Sequence, residues 1–289
     1  MKNSSEALVK SLFETNAIRV CPAKSPFWYT SGKIGPYYIN THFLYGSEEK
    51  ANDLLRLIDT AKENKPDCSA IVFEKALENY KTDIIYKNCI DTLLEAIDRN
   101  ITAGSYDYIS GGERRDWFFS LIVSAMLNKP HITIFKDMDA YVFHNGKCER
   151  IDSLQGAQVL HIADLITSAS SYERSWMPVI RNASGVMKSS YVIIDRMQGG
   201  HELLKSMGVA SHSLVRIDSN IFKGALEKQY IDEEQFQMVT RYMEDPDGFM
   251  KDFFLENPDF LEKALHGDEK TAQRARLCIE KGFNKTSKT

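Results

Sequence analysis

Alternating strand and helix periods between residues 106 and 217 predict an α/β protein: a mostly parallel central sheet with helices on both faces. Three observations carry this expectation. Apolar β-type runs recur at YDYIS (106–110), HITIF (131–135), QVLHIAD (158–164), SYVIID (190–195) and HSLVRI (212–217). Helical periods separate several of them, through Phe118 to Leu127 and Tyr172 to Asn182. From about Ser219 onward no strand signal remains. An N-terminal hairpin, a helical insertion and a helical C-terminal extension add to this core. The expected division is an α/β domain over 1–217, with the insertion at about 48–100, and a helical extension over 218–289.

Residues 5–17 read as an amphipathic helix with Leu8, Leu12 and Phe13 inward. A short strand near Phe27 to Thr30 then passes through Ser31-Gly32-Lys33-Ile34-Gly35-Pro36 into YYIN, the N-terminal hairpin. From Ser47 to Asn100 apolar residues recur at helical spacing in two or three helices, broken near Lys65-Pro66. Asn145-Gly146 lies between Tyr141-Val142-Phe143 and Lys147 to Ile151, and both residues tolerate positive φ. A tight hairpin projecting from the sheet is expected there. In the extension, Phe222, Leu226, Phe236, Val239, Phe253 and Leu261 keep helical spacing, and Asn257-Pro258-Asp259 opens a helix.

Composition narrows the function classes. The chain has 289 residues, 43% hydrophobic and 26% charged, which is ordinary for a globular protein and leaves no case for disorder. Net charge is -4 with scattered Lys and Arg, so the basic stripe that duplex nucleic acid requires is missing, and no nucleic-acid partner is expected. The start of the chain lacks the apolar run of a signal peptide, and no later stretch is long enough to span a bilayer, so a cytoplasmic location and no membrane partner are expected. The five cysteines, Cys21, Cys68, Cys89, Cys148 and Cys278, are odd in number and far apart, and read as reduced thiols with no metal site. The sequon Asn182-Ala183-Ser184 carries no weight in such a chain.

In open parallel sheets, ligands sit beyond the carboxyl ends of strands, where backbone N–H groups are free to meet anions. Residues 158–172, QVLHIADLITSASSY, are built for this: Val159, Leu160 and Ile162 form a buried strand and Asp164 emerges at its end. Thr167, Ser168, Ala169, Ser170 and Ser171 then bring hydroxyls and backbone donors to a turn suited to a phosphate with an adjacent sugar. The plainer reading is that these residues cap a helix and that Asp164 is a turn residue.

The segment resembles the 5-phosphoribosyl diphosphate (PRPP) motif of type I phosphoribosyltransferases, with Ala163 to Ser170 in register. Three further segments resemble orotate phosphoribosyltransferases in order and spacing. FWYTSGKIGPYYIN is similar to the hairpin in which a ring, here Tyr37 or Tyr38, packs by the base; YDYISGGERRDW to the strand and loop that meet pyrophosphate; and VIIDRMQGG to the strand whose final Arg, here Arg196, reads the pyrimidine carboxylate. The resemblance implies that Asp164 approaches the ribose hydroxyls, that Thr167 to Ser171 hold the 5′-phosphate, and that Glu113 belongs to the pyrophosphate loop. It further implies that Arg115 and Lys136 face the diphosphate, with Lys33 close by, that Mg2+ rides mainly on the diphosphate, and that the chain is a homodimer. Core packing of Tyr37 and Tyr38, a solvated turn at Gly111 to Arg115 and a surface ion pair between Asp195 and Arg196 are the plainer alternatives.

Departures from the pattern bear on activity. Ala163 stands where the first of two acidic residues is usual, and one charge-assisted hydrogen bond is worth roughly 1.5–3 kcal/mol. Ala169 stands where Gly is usual, at about 1 kcal/mol if the position needs positive φ. Thr30 replaces a Lys, and Lys136-Asp137-Met138-Asp139 replaces a cationic stretch, with His144 and Lys147 on the hairpin as the nearest substitutes. Two functions follow as expectations: a transferase joining orotate or a similar base to PRPP, or a catalytically impaired relative that binds PRPP or a nucleotide as a sensor. An inert scaffold with helical interaction surfaces is a third, with least support.

Overall fold

The computed structural model of the protein describes residues 2–102 and 104–283. In chain order it contains α1 (Lys2–Glu14), four short strands β1 (Ile18–Val20), β2 (Phe27–Trp28), β3 (Ile34–Gly35) and β4 (Tyr37–Ile39), a 3-10 turn (Thr41–Tyr45), and the helices α2 (Glu48–Ala61), α3 (Lys65–Thr82) and α4 (Ile84–Asn100). The α/β portion follows with β5 (Tyr108–Gly112), α5 (Trp117–Met126), β6 (His131–Ile134), β7 (Ala140–His144), β8 (Lys147–Arg150) and β9 (Gln158–Ile166). A π-helical turn (Tyr172–Trp176) runs into α6 (Met177–Asn182), then come β10 (Val186–Asp195), α7 (Gly200–Ser206) and β11 (Ala210–Arg216). Five helices close the chain: α8 (Ser219–Glu227), α9 (Glu233–Glu244), α10 (Pro246–Glu256), α11 (Asp259–Leu265) and α12 (Glu269–Glu280).

Seven strands form the central sheet in the order β11-β10-β9-β5-β6-β7-β8. The first five are mutually parallel; β7 and β8 add antiparallel at one edge. Asn145 and Gly146 take positive φ, +49° and +75°, and join His144 directly to Lys147. The hairpin does not project from the sheet as expected. It extends the ladder, because β7 still finds β6 to pair with, and the exposed Lys147, Glu149 and Arg150 of β8 leave a charged edge that resists further pairing.

The chain divides into two compact units, residues 1–17 with 40–218 and residues 18–39 with 219–289. The first holds the sheet and α1 to α7, so the insertion packs as part of the α/β unit. Its three helices are set by local signals: Ser47 accepts the Lys50 N–H at 3.2 Å to start α2, Pro66 sits at the start of α3, and Asp83 accepts the N–H groups of Ile85 and Tyr86 at 3.0 Å each to start α4. Tyr86 is fully buried beneath them and donates to the Phe118 carbonyl.

The second unit departs from the expected division, which kept 18–39 with the sheet. Strands of two or three residues cannot bury enough surface alone. Trp28 and Ile34 instead join a core with Met250, Phe253, Ala264, Ala275 and Cys278, and the Trp28 ring stacks on Phe260 at 5.6 Å. Gln235 and Arg274 donate to the carbonyls of Cys21 and Trp28 at 3.1 and 2.9 Å, and Lys33 pairs with Asp247 at 2.7 Å. No helix among the described residues is long and apolar enough to cross a membrane.

Asp83 ends α3, caps α4 and meets Lys50 at 2.6 Å. Asp83→Ala should therefore destabilise the protein by about 1–2 kcal/mol, read as a lowered urea midpoint with an unchanged slope.

Candidate active site at the sheet switch point

The crevice is dictated by topology. From β5 the chain crosses through α5 to β6 on one side, whereas from β9 it crosses through α6 to β10 on the other. Neighbouring strands whose crossovers diverge in this way leave a cleft at their carboxyl ends. Here the β5–β9 ladder stops at the pair Ser110 and His161, and Gly111 and Gly112 pair only with β6. Beyond that point a cavity of about 420 Å³ opens, lined by residues 113–116 after β5 and 164–172 from β9 onward, with Trp176.

Both glycines are required by close approach. A Cβ on Gly111 would stand 2.1 Å from the Ser120 hydroxyl, and one on Gly112 would stand 2.1 Å from the Trp176 ring nitrogen. The peptide between Glu113 and Arg114 is cis. In the loop 167–171, Ala169 takes φ +57°, so the left-handed conformation that favours glycine is present at this position. Among the described residues the backbone N–H groups of Thr167, Ser168 and Ala169 donate to no protein acceptor, which leaves them available to an anion.

Two carboxyl groups occupy the floor. Asp116 sits at the N-cap position of α5, yet its side chain does not cap that helix. Its Oδ2 accepts the Gly112 N–H and its Oδ1 the Asp164 N–H, each at 2.9 Å. Asp164 Oδ1 accepts from Leu165 at 2.7 Å, while Asp164 Oδ2 is buried without a hydrogen-bond partner. Burial raises both carboxyls well above the usual range, the more so for Asp164 because Asp116 lies beside it; Arg115 acts in the opposite direction on each.

Below them His161 is fully buried, with Nδ1 on the Ser110 hydroxyl at 2.8 Å and Nε2 at 3.7 Å from Asp116. Burial lowers His161 to about 3, so this contact is a neutral imidazole beside a carboxyl and not an ion pair. Trp176 stacks on its ring at 4.4 Å, and Tyr172 meets both rings edge-on.

Of the residues singled out in the sequence, Asp164, Thr167, Ser168, Ala169, Ser170, Ser171, Arg115 and Glu113 line this one cavity. Glu113 is already engaged: one oxygen pairs with Lys62 at 3.2 Å and the other accepts the Lys136 N–H at 2.9 Å. Lys136 is thereby tied to the rim by its backbone, with an exposed side chain outside the cavity lining. Arg196 is likewise outside the lining; its N–H donates to the Ile166 carbonyl at 3.0 Å and its Nε is buried without a partner. Lys33 and Tyr38 belong to the second unit, where Lys33 lies over the Phe283 ring and Tyr38 packs against Phe27 and Tyr29.

Sequence reasoning missed Asp116, Arg114, Tyr172 and Trp176 in the lining, and Lys62 behind it. Asp116 had one signal, a lone acid before the apolar run WFFSLIV. Lys62 had none, because it arrives from the insertion. The acids of the loop after β6 are also neutralised from there: Lys65 reaches Asp137 and, at 2.6 Å, Asp139, which Arg150 meets at 2.5 Å.

No family model matches the chain. Curated relatives do. The orotate phosphoribosyltransferase of Sulfolobus acidocaldarius is 23% identical over 217 residues, covering 75% of this chain and 88% of the relative. That of Staphylothermus marinus is 22% identical over 238 residues, covering 82% and 94%. That of Thermoplasma volcanium is 35% identical over 100 residues, covering 34% and 57%. Among solved structures, Leishmania donovani UMP synthase aligns with a TM-score of 0.56 at 18% identity, covering 83% of this chain, which spans 42% of that one. Francisella tularensis orotate phosphoribosyltransferase aligns with a TM-score of 0.51 at 14% identity, covering 82% and 96%.

Sheet order, switch-point cavity and structural neighbours together define a type I phosphoribosyltransferase fold. Within that class the chain is similar in sequence to orotate phosphoribosyltransferases.

Two outcomes follow from this geometry. Ala169→Gly should stabilise the protein by about 1 kcal/mol in urea unfolding, because the Cβ penalty at φ +57° is removed. Asp164 binds its proton more tightly folded than unfolded, so its contribution to stability falls as pH rises from about 4 into the neutral range. Asp164→Asn should therefore melt higher than wild type at about pH 8, with the gap closing toward about pH 4, and thermal melts across that range would check it.

Proposed function

We propose that the chain is a phosphoribosyltransferase that moves the phosphoribosyl group of PRPP to orotate or a similar base and releases pyrophosphate. The observation that carries this reading is the unpartnered Asp164 Oδ2, set in one cavity with the unengaged amides of the 167–169 turn and with Arg114 and Arg115. A sugar hydroxyl suits the first, a 5′-phosphate the second and a diphosphate the third.

In this reading the 167–171 loop fixes the phosphate end and Asp164 the ribose, which presents C1 to the base nitrogen. As that bond forms and the bond from C1 to the diphosphate breaks, negative charge grows on the leaving oxygens, where Arg115 stabilises it. Magnesium keeps much of its water and binds phosphate oxygens, so it would be carried by the diphosphate. The donor set fits that arrangement, with one free carboxyl oxygen at Asp164 and no group of three or more His, Cys, Asp or Glu among the described residues that could hold a metal. A homodimer is the working assembly that the resemblance implies.

One observation favours a second reading, a binding protein with little turnover. The loop after β6 offers Asp137 and Asp139 where donors to developing charge would be useful, and the two cations that reach it from neighbouring elements, Lys65 and Arg150, are spent on them. Losing one preorganised donor typically costs about a hundred- to a thousandfold in rate.

The two separate in one assay. Protein, PRPP, magnesium and orotate are mixed and orotate absorbance is followed, with calorimetric titration of PRPP alongside. Orotate loss that Asp164→Asn reduces by at least about tenfold supports the transferase. Heat of binding without orotate loss, repeated with other bases, supports the sensor, and no heat would overturn both.

A further inference from the structure

In the sugar-binding motif, Ala163 stands at the position of the first carboxylate, and the structure explains why a carboxylate is not missed there. Alternation along β9 turns residue 163 away from the cavity and 164 toward it. Ala163 is fully buried in an apolar cluster with Val159, Ile166, Val179 and Val192. A carboxylate does reach Asp164, from the other wall of the crevice. Asp116 lines the same cavity, accepts the Asp164 N–H at 2.9 Å and is itself almost wholly buried.

We propose that Asp116 takes the place of the missing motif carboxylate, acting as a positioning residue that holds Asp164 for the vicinal diol of a ribose 5-phosphate and makes the site select ribose over 2-deoxyribose. The proposal rests on the phosphoribosyl reading and assigns to Asp116 a role that the motif would have given to residue 163.

Four observations carry it. Asp116 gives up the helix cap that its position offers and spends both oxygens on the crevice walls, at Gly112 and Asp164. Asp164 lines the cavity, its Oδ1 accepts the Leu165 N–H, and its Oδ2 is buried in the wall without a hydrogen-bond partner. Each Asp116 oxygen keeps a second acceptor lone pair after its backbone bond. Two neighbouring carboxyl groups match two neighbouring hydroxyl donors, whereas a phosphate alone gains nothing from them. A site built to receive a hydroxyl discriminates strongly against the analogue that lacks it, because its buried acceptor is then left unpaired.

The groups facing the pair are Arg115, the neutral His161 with Nε2 at 3.7 Å from Asp116, and Tyr172. Burial and mutual repulsion leave the pair still partly protonated in the neutral range, so its acceptor strength grows as pH rises.

The test is calorimetric titration of the full chain with ribose 5-phosphate, 2-deoxyribose 5-phosphate and methyl phosphate. Wild type should prefer the ribose ester by at least about tenfold. In Asp116→Asn that preference should fall to about threefold or less, with methyl phosphate binding unchanged. An unchanged preference would overturn the proposal, and so would equal loss of all three ligands, which marks a purely structural tie. Asn cannot accept both N–H groups, so if the variant does not fold, the wild-type preference is measured from about pH 6 to about pH 9 instead. It should rise with pH, and a flat profile overturns the proposal while leaving the phosphoribosyl reading standing. Wild type that binds neither sugar ester overturns that reading itself.

Discussion

The carboxylate of Asp116 does for the crevice what hydrogen bonding between strands does for the rest of the sheet. The β5–β9 ladder ends at Ser110 and His161, and past that point the two strands part with their polar backbone still to be satisfied. Asp116 spans the gap, with one oxygen on Gly112 and the other on Asp164. Widening the crevice would strand two buried N–H groups, each a loss of about 1–3 kcal/mol, whereas closing it is opposed by the Asp164 carboxyl and the stacked rings of Trp176 and His161. The cavity is therefore held at a set width by a buried carboxyl group that acts as a strut between its two walls.

The fold was legible because its signals are local. Periods of two and of 3.6 residues marked the five parallel strands and the helical character of the insertion, though not its number of helices, and Asn145-Gly146 fixed a two-residue turn. What failed was placement that depends on distant partners. Nothing within 141–151 says whether a hairpin projects or finds an edge to pair with, and nothing within 27–40 says that Trp28 and Ile34 will share a core with Phe253 and Cys278.

The candidate site divided along the same line. Residues contiguous with a strand end, Asp164 and the 167–171 turn, were found because a strand followed by hydroxyl-rich residues is visible in one stretch. Arg115 and Glu113 came with their glycines. Lys136 and Arg196 were chosen for similar reasons and lie outside the lining, since a residue or two past a strand end the direction of a side chain is set by what the loop must tie down; for Lys136 that is the backbone bond to Glu113. Lys62 and Lys65 come from the helical insertion, so charge balance at the rim is set by a segment whose own sequence carries only a helical period. The condition attached to Ala169 was met by its positive φ.

Of the three tryptophans, Trp117 is fully buried with its ring nitrogen on the Gly111 carbonyl and Trp28 belongs to the second unit, whereas Trp176 faces the cavity. Its indole stacks on His161 and meets Tyr172 edge-on, and its ring nitrogen lies under the position where Gly112 carries no side chain. The protein thus contains its own optical reporter. An anion or sugar entering the cavity would change the polarity and quenching around the Trp176 indole, so occupancy would be readable in intrinsic emission without any label.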